Sequence, residues 1–277
     1  MKNFDLFDLK DLTKDNVKEY ISLITNWIKE QMTKANAKGV VLGMSGGIDC
    51  SVVGRLFQEA GYDVVLVLMP NGNSMDYAGD SNDAMDYIEK FHFKWLKAPI
   101  GNIYDTILDT IVDDKSSMTA HTIEDAPYGD SIRKEAISIS NIAKANINPR
   151  IRMTILYTLA QSKGYLVAGT GNLSERIMGY FTKWGDGAFD ICPIGNFTKE
   201  QVRILAKELR VPQHIIDKAP SANLWEGQTD EEEMGVTYEQ IDDYIHNRNL
   251  EKNREAFKKI EAQYRKSVHK LRPAPIF

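Results

Sequence analysis

Apolar residues of the chain recur with two spacings, one typical of helices and one typical of buried strands. Val17, Ile24 and Ile28 share one face at helical spacing, which predicts an opening amphipathic helix. Apolar runs predict strands at 39–45, 63–70, 93–100, 164–170 and 190–195. Helices are predicted between them at 52–60, 82–91, 102–114, 131–163 and 199–210, and one more after residue 237. This alternation predicts an α/β protein with a mostly parallel sheet flanked by helices.

Proline and capping residues set the predicted boundaries. The helix over 131–163 is predicted in two pieces that separate at Asn148–Pro149, because proline disfavours helical backbone in the residue before it. Capping boxes are predicted at Thr198 with Gln201 and at Thr237 with Gln240. Long loops are predicted at 71–82 and 219–237, and a basic irregular tail over 267–277.

Two predicted strands end in segments of small residues, at 43–47 and 169–171. Ligands of parallel sheets bind beyond the carboxyl ends of the strands. We therefore expect both segments to face one cleft.

Composition and charge narrow the class of protein. The 277 residues carry a formal net charge of −5, which argues against a protein whose main partner is nucleic acid. The two cysteines, Cys50 and Cys192, form no CxxC pair, so neither a disulfide framework nor a cysteine zinc site is expected. The acidic N-terminus does not resemble a signal peptide, and no apolar run approaches the roughly 20 residues that span a membrane. We expect a cytoplasmic protein without a membrane partner.

The stretch GMSGGIDCSVVG, residues 43–54, lies between a predicted strand and a predicted helix. Backbone amides of such a loop and the positive end of the helix dipole favour an anion. Gly46 and Gly47 allow close approach, and Ser45 and Ser51 offer hydroxyls. Neither GxGxxG nor GxxxxGK[ST] is present. On this stretch alone, a tight turn with Asp49 as a helix cap is an equally good interpretation.

This loop resembles the SGGxDS loop of the N-type ATP pyrophosphatases, or PP-loop enzymes, which split ATP into AMP and pyrophosphate. With the blocks that follow it, the chain resembles the ammonia-dependent NAD synthetase family from about residue 17 to its end. The blocks are NPRIRM (148–153), GTGNLSE (169–175), GYFTKWGDGAFDICPIGNFTK (179–199), KAPSANLWEGQTDEEEMG (218–235) and HK (269–270). The resemblance implies a Rossmann-like three-layer fold, similar to the adenine nucleotide alpha-hydrolases, in a single synthetase domain over residues 1–277.

The resemblance also implies which residues contact ATP and magnesium. Asp49 and Glu175 match the magnesium positions, and two hard carboxylates suit Mg²⁺ shared with phosphate oxygens. The positions that match ATP contacts are Gly43, Ser45, Gly46, Gly47, Asp49, Cys50, Ser51, Thr170, Lys199 and Ser221. Taken singly, each of these residues has an ordinary structural explanation as a cap, a turn residue or a solvated charge.

For the second substrate, deamido-NAD, the resemblance assigns a mostly cationic set. Its members are Arg150, Lys183, Asp190, His269 and Lys270. A pyrophosphate and a nicotinate carboxylate suit several converging cations. Tyr180, Phe181 and Trp184 are candidates to stack on the pyridine ring, although aromatic residues at this spacing are often core. The resemblance further implies a homodimer with deamido-NAD bound at the subunit interface.

The implied reaction activates a carboxylate with ATP. The nicotinate carboxylate attacks the α-phosphorus, pyrophosphate leaves, and ammonia then converts the nicotinyl-adenylate into NAD and AMP. Lys199 is predicted to offset phosphate charge, and Asp186 is predicted to accept a proton from ammonium. A fused glutaminase domain does not fit in 277 residues, so free ammonia is the expected donor. A separate amidotransferase partner is the open alternative.

Cys50 departs from the loop of the family, which has serine at this position. The change is either a tolerated swap or a thiol whose pKa is lowered by the helix N-terminus, making it open to oxidation. Ser221, where the family often has threonine, is a milder change. Two other functions stay open: a tRNA-thiolating PP-loop enzyme that uses Cys50 and Cys192, and a silent adenine-nucleotide-binding protein. Pyrophosphate release that depends on deamido-NAD separates all three.

Overall fold

A parallel sheet forms the centre of the protein in the computed structural model, which describes residues 11–72, 80–112, 120–122, 133–135, 139–220 and 229–277. The strands are β1 (Gly39–Gly43), β2 (Asp63–Leu68), β3 (Lys94–Lys97), β4 (Ala120–Thr122), β5 (Arg133–Glu135) and β6 (Leu166–Val167). The central sheet has the order β3-β2-β1-β6 with all pairs parallel, while β4 and β5 pair antiparallel. Because β1 and β6 are neighbours, the two small-residue segments that follow them meet at one edge.

Twelve helices occur in the described part of the chain. They are α1 (Val17–Lys34), α2 (Ile48–Glu59), α3 (Asp80–Phe91), α4 (Gly101–Val112), α5 (Asn141–Ala145), α6 (Ile147–Lys163), α7 (Leu173–Met178), α8 (Lys199–Glu208), α9 (Gln213–Asp217), α10 (Asp230–Met234), α11 (Tyr238–His246) and α12 (Arg254–Ser267). A 3₁₀ turn over Val268–Lys270 begins the tail, which then has no regular structure.

The sheet is covered on both faces, as a three-layer α/β fold requires. Val40 and Leu42 of β1 join a core with α1, α2, α3 and α8, whereas Val41 joins a core with α4 and α6. This alternation follows from the two-residue period of a strand. A third core cluster packs α7 against α11 and α12. The predicted fold class is confirmed. Among the described residues, no helix is long and apolar enough to cross a membrane.

The 131–163 segment contains two helices as predicted, but the predicted place of the break and the predicted start are both wrong. The helices separate at Asn146, and Pro149 lies in the first turn of α6. Amides of a first turn have no partner within the helix, so proline removes no hydrogen bond there. Residues 133–135 form β5 instead of helix because their backbone pairs with β4.

The strands predicted at 164–170 and 190–195 are much shorter in the structure. Only Leu166–Val167 is a strand, and a single parallel bridge joins Ala168 to Ile191. The Asp190 side chain accepts a hydrogen bond from the Val167 amide at 2.8 Å, a place that a strand carbonyl would otherwise take.

The prediction of an unbroken loop over 219–237 is also wrong, because the segment contains α10. Thr229 accepts a hydrogen bond from the Glu232 amide and caps the N-terminus of this helix, and Gly235 ends it with φ 65°. Acidic residues in its first turn are favoured by the helix dipole. Helices α7, α9 and α12 were not predicted, whereas both predicted capping boxes, at the starts of α8 and α11, are confirmed.

Candidate active site

A cavity of about 670 Å³ opens beyond the carboxyl ends of β1 and β6. Gly43 and Ser45 line it from one strand end, and Gly169 and Thr170 line it from the other. The predicted shared cleft is therefore confirmed. Lys199, which opens α8, also lines this cavity.

The glycine loop turns sharply from β1 into α2. Gly46 has φ 82°, a left-handed conformation that glycine adopts without a steric penalty. The carbonyl of Gly47 accepts a hydrogen bond from Ser51 Oγ at 2.8 Å. Gly47, Asp49 and Cys50 line the cavity, whereas Gly46 and the fully buried Ser51 do not. The Ser51 hydroxyl stabilises the start of α2 and is not directed at a ligand.

Cys50 takes part in the internal hydrogen bonding of the loop. Its Sγ lies 3.1 Å from the Gly47 carbonyl oxygen and 3.3 Å from Ser45 Oγ. Burial raises the pKa of the Cys50 thiol above its usual value, despite its place in the first turn of a helix. Burial of the thiol argues against the alternative of a lowered pKa, and the tolerated swap stays a prediction.

Lys199 lies between the two predicted magnesium carboxylates. Its Nζ is 2.5 Å from Asp49 Oδ2 and 3.5 Å from Glu175 Oε1, and only 2% of the residue is exposed. Burial alone would lower the pKa of Lys199, but the attraction of the two carboxylates outweighs burial and raises it. Burial and the neighbouring Asp49 raise the pKa of Glu175 to about 8. Lys199 is therefore held as a cation between the two carboxylates.

Asn172 aligns both carboxylates, a role that the sequence analysis missed. Its Nδ2 donates to Asp49 Oδ1 at 3.0 Å, and its Oδ1 accepts from the Glu175 amide at 3.0 Å. Glu175 Oε2 in turn accepts from the Asn172 amide, which completes a capping box at the start of α7. The signal was present in the sequence, as a capping asparagine followed three residues later by glutamate.

Tyr238 and Asp230 extend this cluster from the C-terminal part of the chain. The Tyr238 hydroxyl lies 3.3 Å from Glu175 Oε1 and 2.9 Å from Asp230 Oδ2. Lys199 Nζ is 4.9 Å from the centre of the Tyr238 ring, a cation–π contact. Neither residue was predicted from the sequence as part of the site, although Asp230 belongs to the block 218–235.

The other half of the cavity holds Asp186, Lys270 and Arg152. Asp186 Oδ1 accepts from the Thr182 amide at 2.9 Å; the residue is exposed at the cavity, and the protein atoms around its carboxyl reduce its hydration and raise its pKa. Lys270 Nζ donates to the carbonyls of Gly179 and Phe181, at 2.8 and 2.9 Å. Arg152, which the sequence analysis missed, donates from Nε to the Met69 carbonyl at 3.2 Å. This half combines one carboxylate with two cations.

Four residues of the predicted deamido-NAD set do not line the cavity of a single chain. They are Arg150, Lys183, Asp190 and His269. Arg150 contacts the Asn146 carbonyl at 3.4 Å, and Lys183 donates to the His269 carbonyl at 3.1 Å. Of the three candidate stacking residues, Tyr180 and Phe181 line the cavity, but Trp184 does not and is 59% exposed. Ser221 lies outside the described residues.

The arrangement joins two kinds of chemistry in one cavity. A glycine loop and a buried lysine suit a phosphate chain, and the flanking carboxylates suit a hard cation. A separate carboxylate beside two cations suits a second, anionic substrate and a proton transfer.

Comparison with known proteins identifies the family. The sequence model of the family described as NAD synthase matches residues 20–274. The chain is 39% identical over 258 residues to the NH(3)-dependent NAD(+) synthetase of Carboxydothermus hydrogenoformans, covering 93% of this chain and 96% of that relative. The solved NMN synthetase from Francisella tularensis has a TM-score of 0.82 at 35% identity, covering 96% of this chain and 99% of that one. The NAD+ synthetase from Burkholderia pseudomallei has a TM-score of 0.69 at 26% identity, covering 92% and 89%. The chain belongs to the NAD synthase family.

Proposed function

We propose that this protein is a ligase that amidates deamido-NAD with ammonia at the expense of ATP, giving NAD, AMP and pyrophosphate. The observation that carries the proposal is Lys199, held between Asp49 and Glu175 beside the glycine loop, in the same cavity as Asp186. Its curated relatives are named NH(3)-dependent NAD(+) synthetases. We propose one synthetase domain over residues 1–277. Its two cysteines are free thiols, which is consistent with the cytoplasm as its compartment.

Magnesium is the proposed metal, held by Asp49 and Glu175. The donors fit in kind, because both are carboxylates directed at one point; Lys199 Nζ takes up that point and would have to move toward the phosphates for the ion to bind. Mg²⁺ is usually bound by one or two carboxylates, with substrate phosphates and water completing its shell. When bound, it neutralises part of the charge on the phosphate oxygens.

In the first step the protein positions ATP against the nicotinate carboxylate. A carboxylate oxygen attacks the α-phosphorus, the bond to the bridging oxygen of the β-phosphate breaks, and pyrophosphate leaves with the electron pair. Amides of the glycine loop and Lys199 hold the phosphates and offset the charge that develops on them. The nicotinyl-adenylate needs no covalent bond to the protein, so neither cysteine requires a catalytic role.

In the second step ammonia attacks the carbonyl carbon of the adenylate and AMP leaves. Ammonium must first lose a proton, and Asp186 is the proposed acceptor. Its Oδ1 is held by the Thr182 amide, and its raised pKa makes it a stronger base than an ordinary aspartate. Lys270 and Arg152, in the same half of the cavity, are cations for the anionic groups of the substrate.

NMN is a second candidate product. The observation that favours it is the TM-score of 0.82 to the NMN synthetase from Francisella tularensis, higher than the 0.69 to the Burkholderia NAD+ synthetase. The acid precursors of NMN and NAD carry the same nicotinate carboxylate, so the proposed chemistry applies to both.

One assay tests the proposal and its rivals. Purified protein with ATP and Mg²⁺ is given deamido-NAD or nicotinate mononucleotide, with ammonium or glutamine, and NAD, NMN, AMP and pyrophosphate are measured. We expect NAD and AMP in equal amounts with deamido-NAD and ammonium, and no product with glutamine alone. Preferential turnover of the mononucleotide would support NMN instead. Pyrophosphate release without either acid substrate would contradict both.

We also propose that the enzyme is a homodimer with deamido-NAD at the subunit interface. Arg150, Lys183 and His269 lie outside the cavity of one chain, as expected if part of the substrate is bound between subunits. Ile142 and Trp184 are apolar side chains with 75% and 59% of their surface exposed. Sedimentation equilibrium should give twice the 31.4 kDa of one chain. A monomer at assay concentrations, active with deamido-NAD, would contradict the proposal.

A further inference from the structure

A buried polar network lies beneath the cavity and joins α7, α8 and α11. Its two side chains are Ser174, which is completely buried, and Asp242, which is 2% exposed. Neither lines the cavity. Ser174 Oγ donates to Asp242 Oδ1 at 2.5 Å. A buried carboxylate is costly unless it is fully hydrogen bonded, so its hydrogen-bond partners indicate what it holds in place.

The network satisfies the first two amides of α8. Lys199 N donates to Ser174 Oγ at 3.0 Å, and Glu200 N donates to Asp242 Oδ2 at 2.9 Å. These amides have no acceptor within their own helix. The carboxylate also lies at the positive end of the helix dipole. The start of α8 is therefore fixed by side chains of two other helices.

This arrangement connects the two functional residues of the first step through their backbones. Lys199 is the first residue of α8, and its amide hydrogen bonds directly to Ser174. Ser174 is covalently joined to Glu175. A shift of the Ser174 hydroxyl or of Asp242 would move the backbone from which Lys199 reaches Asp49 and Glu175.

We propose that Ser174 and Asp242 are positioning residues, which hold the start of α8 so that Lys199 meets Asp49 and Glu175 in the geometry that the adenylation step needs. This inference rests on the proposed function, because it assigns Lys199 to the phosphates of ATP. Neither residue lines the cavity, so both would act through the residues that do.

Asp242→Asn tests the network with little change in shape. An asparagine must turn its NH₂ group, a donor, toward either the Glu200 amide or the Ser174 hydroxyl, so one of the two acceptor oxygens of the network is lost. We expect kcat for NAD formation to fall on the order of ten- to a hundredfold, because misplacement of a reacting group by about 1 Å has effects of this size. Ser174→Ala should behave similarly. The double variant should be no worse than the more severe single one, because both residues act in one network.

Asp243→Asn is the matched control. Asp243 is the next residue of α11, is 3% exposed, accepts from Asn249 and Asn253, both at 2.8 Å, and pairs with Arg248 at 3.1 Å. Arg248 also pairs with the Glu200 side chain, but Asp243 itself holds no backbone amide of α8. We expect it to lower the melting temperature while kcat stays within about twofold of the parent protein. Equal losses of kcat in Asp242→Asn and Asp243→Asn would overturn the proposal, since general destabilisation would then explain both.

A cycle with Lys199→Met separates positioning from stability. If Asp242 acts through Lys199, Asp242→Asn should not lower the residual activity of Lys199→Met any further. A full additional loss would overturn the proposal. Calorimetric titration with ATP and Mg²⁺ gives a second readout: Asp242→Asn should weaken binding several-fold and Asp243→Asn should not. If the parent protein binds ATP but forms no NAD or NMN, the proposed function fails. The binding comparison still decides the role of Asp242.

Discussion

Lys199→Met should lower kcat for NAD formation by about a hundredfold to a thousandfold, the range found when a single group that stabilises developing charge is removed. Methionine fills a similar volume but carries no charge. Lys199 Nζ is the cation between Asp49 and Glu175, and the residue is almost completely buried. Without it the two carboxylates repel each other and the phosphates. The measurement is steady-state NAD formation with saturating ATP, ammonium and deamido-NAD.

Lys207→Met is the control for this experiment. Lys207 lies on the same helix, α8, but it is exposed and does not line the cavity. We expect activity within about twofold of the parent protein, as for most surface substitutions. A Lys199→Met variant that keeps its fold by circular dichroism and retains a tenth or more of its activity would contradict the assigned role of Lys199.

Asp186→Asn should separate the two steps of the reaction. We expect NAD formation at limiting ammonium to fall by about a hundredfold or more, the usual contribution of a positioned base, because asparagine cannot accept the proton. Pyrophosphate release in a single turnover should be nearly unchanged, since Lys199 and the glycine loop are intact. This single-turnover release of pyrophosphate is the internal control. A loss of pyrophosphate release equal to the loss of NAD would show that Asp186 has another role.

The pH profile gives an independent test of Asp186. The protein atoms around this carboxyl reduce its hydration and raise its pKa, so its basic form is lost on acidification at a higher pH than for an ordinary aspartate. In the parent protein, kcat/KM for ammonium should therefore decrease as the pH falls through this raised pKa. The Asp186→Asn profile should lack this titration, and its activity should recover partly at alkaline pH, where free ammonia is abundant. Identical profiles for the two proteins would contradict the proposed base.

The fold class could be predicted from the sequence because the clearest apolar runs belong to the most deeply buried strands. The apolar runs that became β1 and β2 are covered on both faces, so each of their side chains contributes to a core. Predictions failed where tertiary contacts decide the local structure. Next to the strand predicted at 164–170, the Asp190 side chain replaces a backbone partner at the Val167 amide, so only a single bridge forms with the segment predicted at 190–195. Pro149 did not break a helix because it lies in a first turn, a position that periodicity alone does not reveal.

The active site was only partly predictable for a related reason. The loop around Asp49 and the block around Glu175 are local motifs, and each was recognisable by itself. Tyr238 and Arg152 act through contacts with residues distant in the chain, as does Asn172 where it contacts Asp49. Tyr238, for example, hydrogen bonds with Glu175, which is 63 positions away. A single sequence gives no sign of such pairs, and an apolar or polar residue on a helix has many ordinary structural explanations.

The carboxylate of Glu175 is divided between two tasks. Its Oε2 closes the capping box of α7, while its Oε1 faces Lys199 and Tyr238. One side chain thus serves both folding and ligand chemistry. Few substitutions at position 175 can therefore satisfy both. Glutamine can keep the cap but lose the charge, whereas shortening to aspartate disturbs both. A variant library selected for stability alone would keep glutamate or glutamine here, and only a selection for catalysis would separate the two.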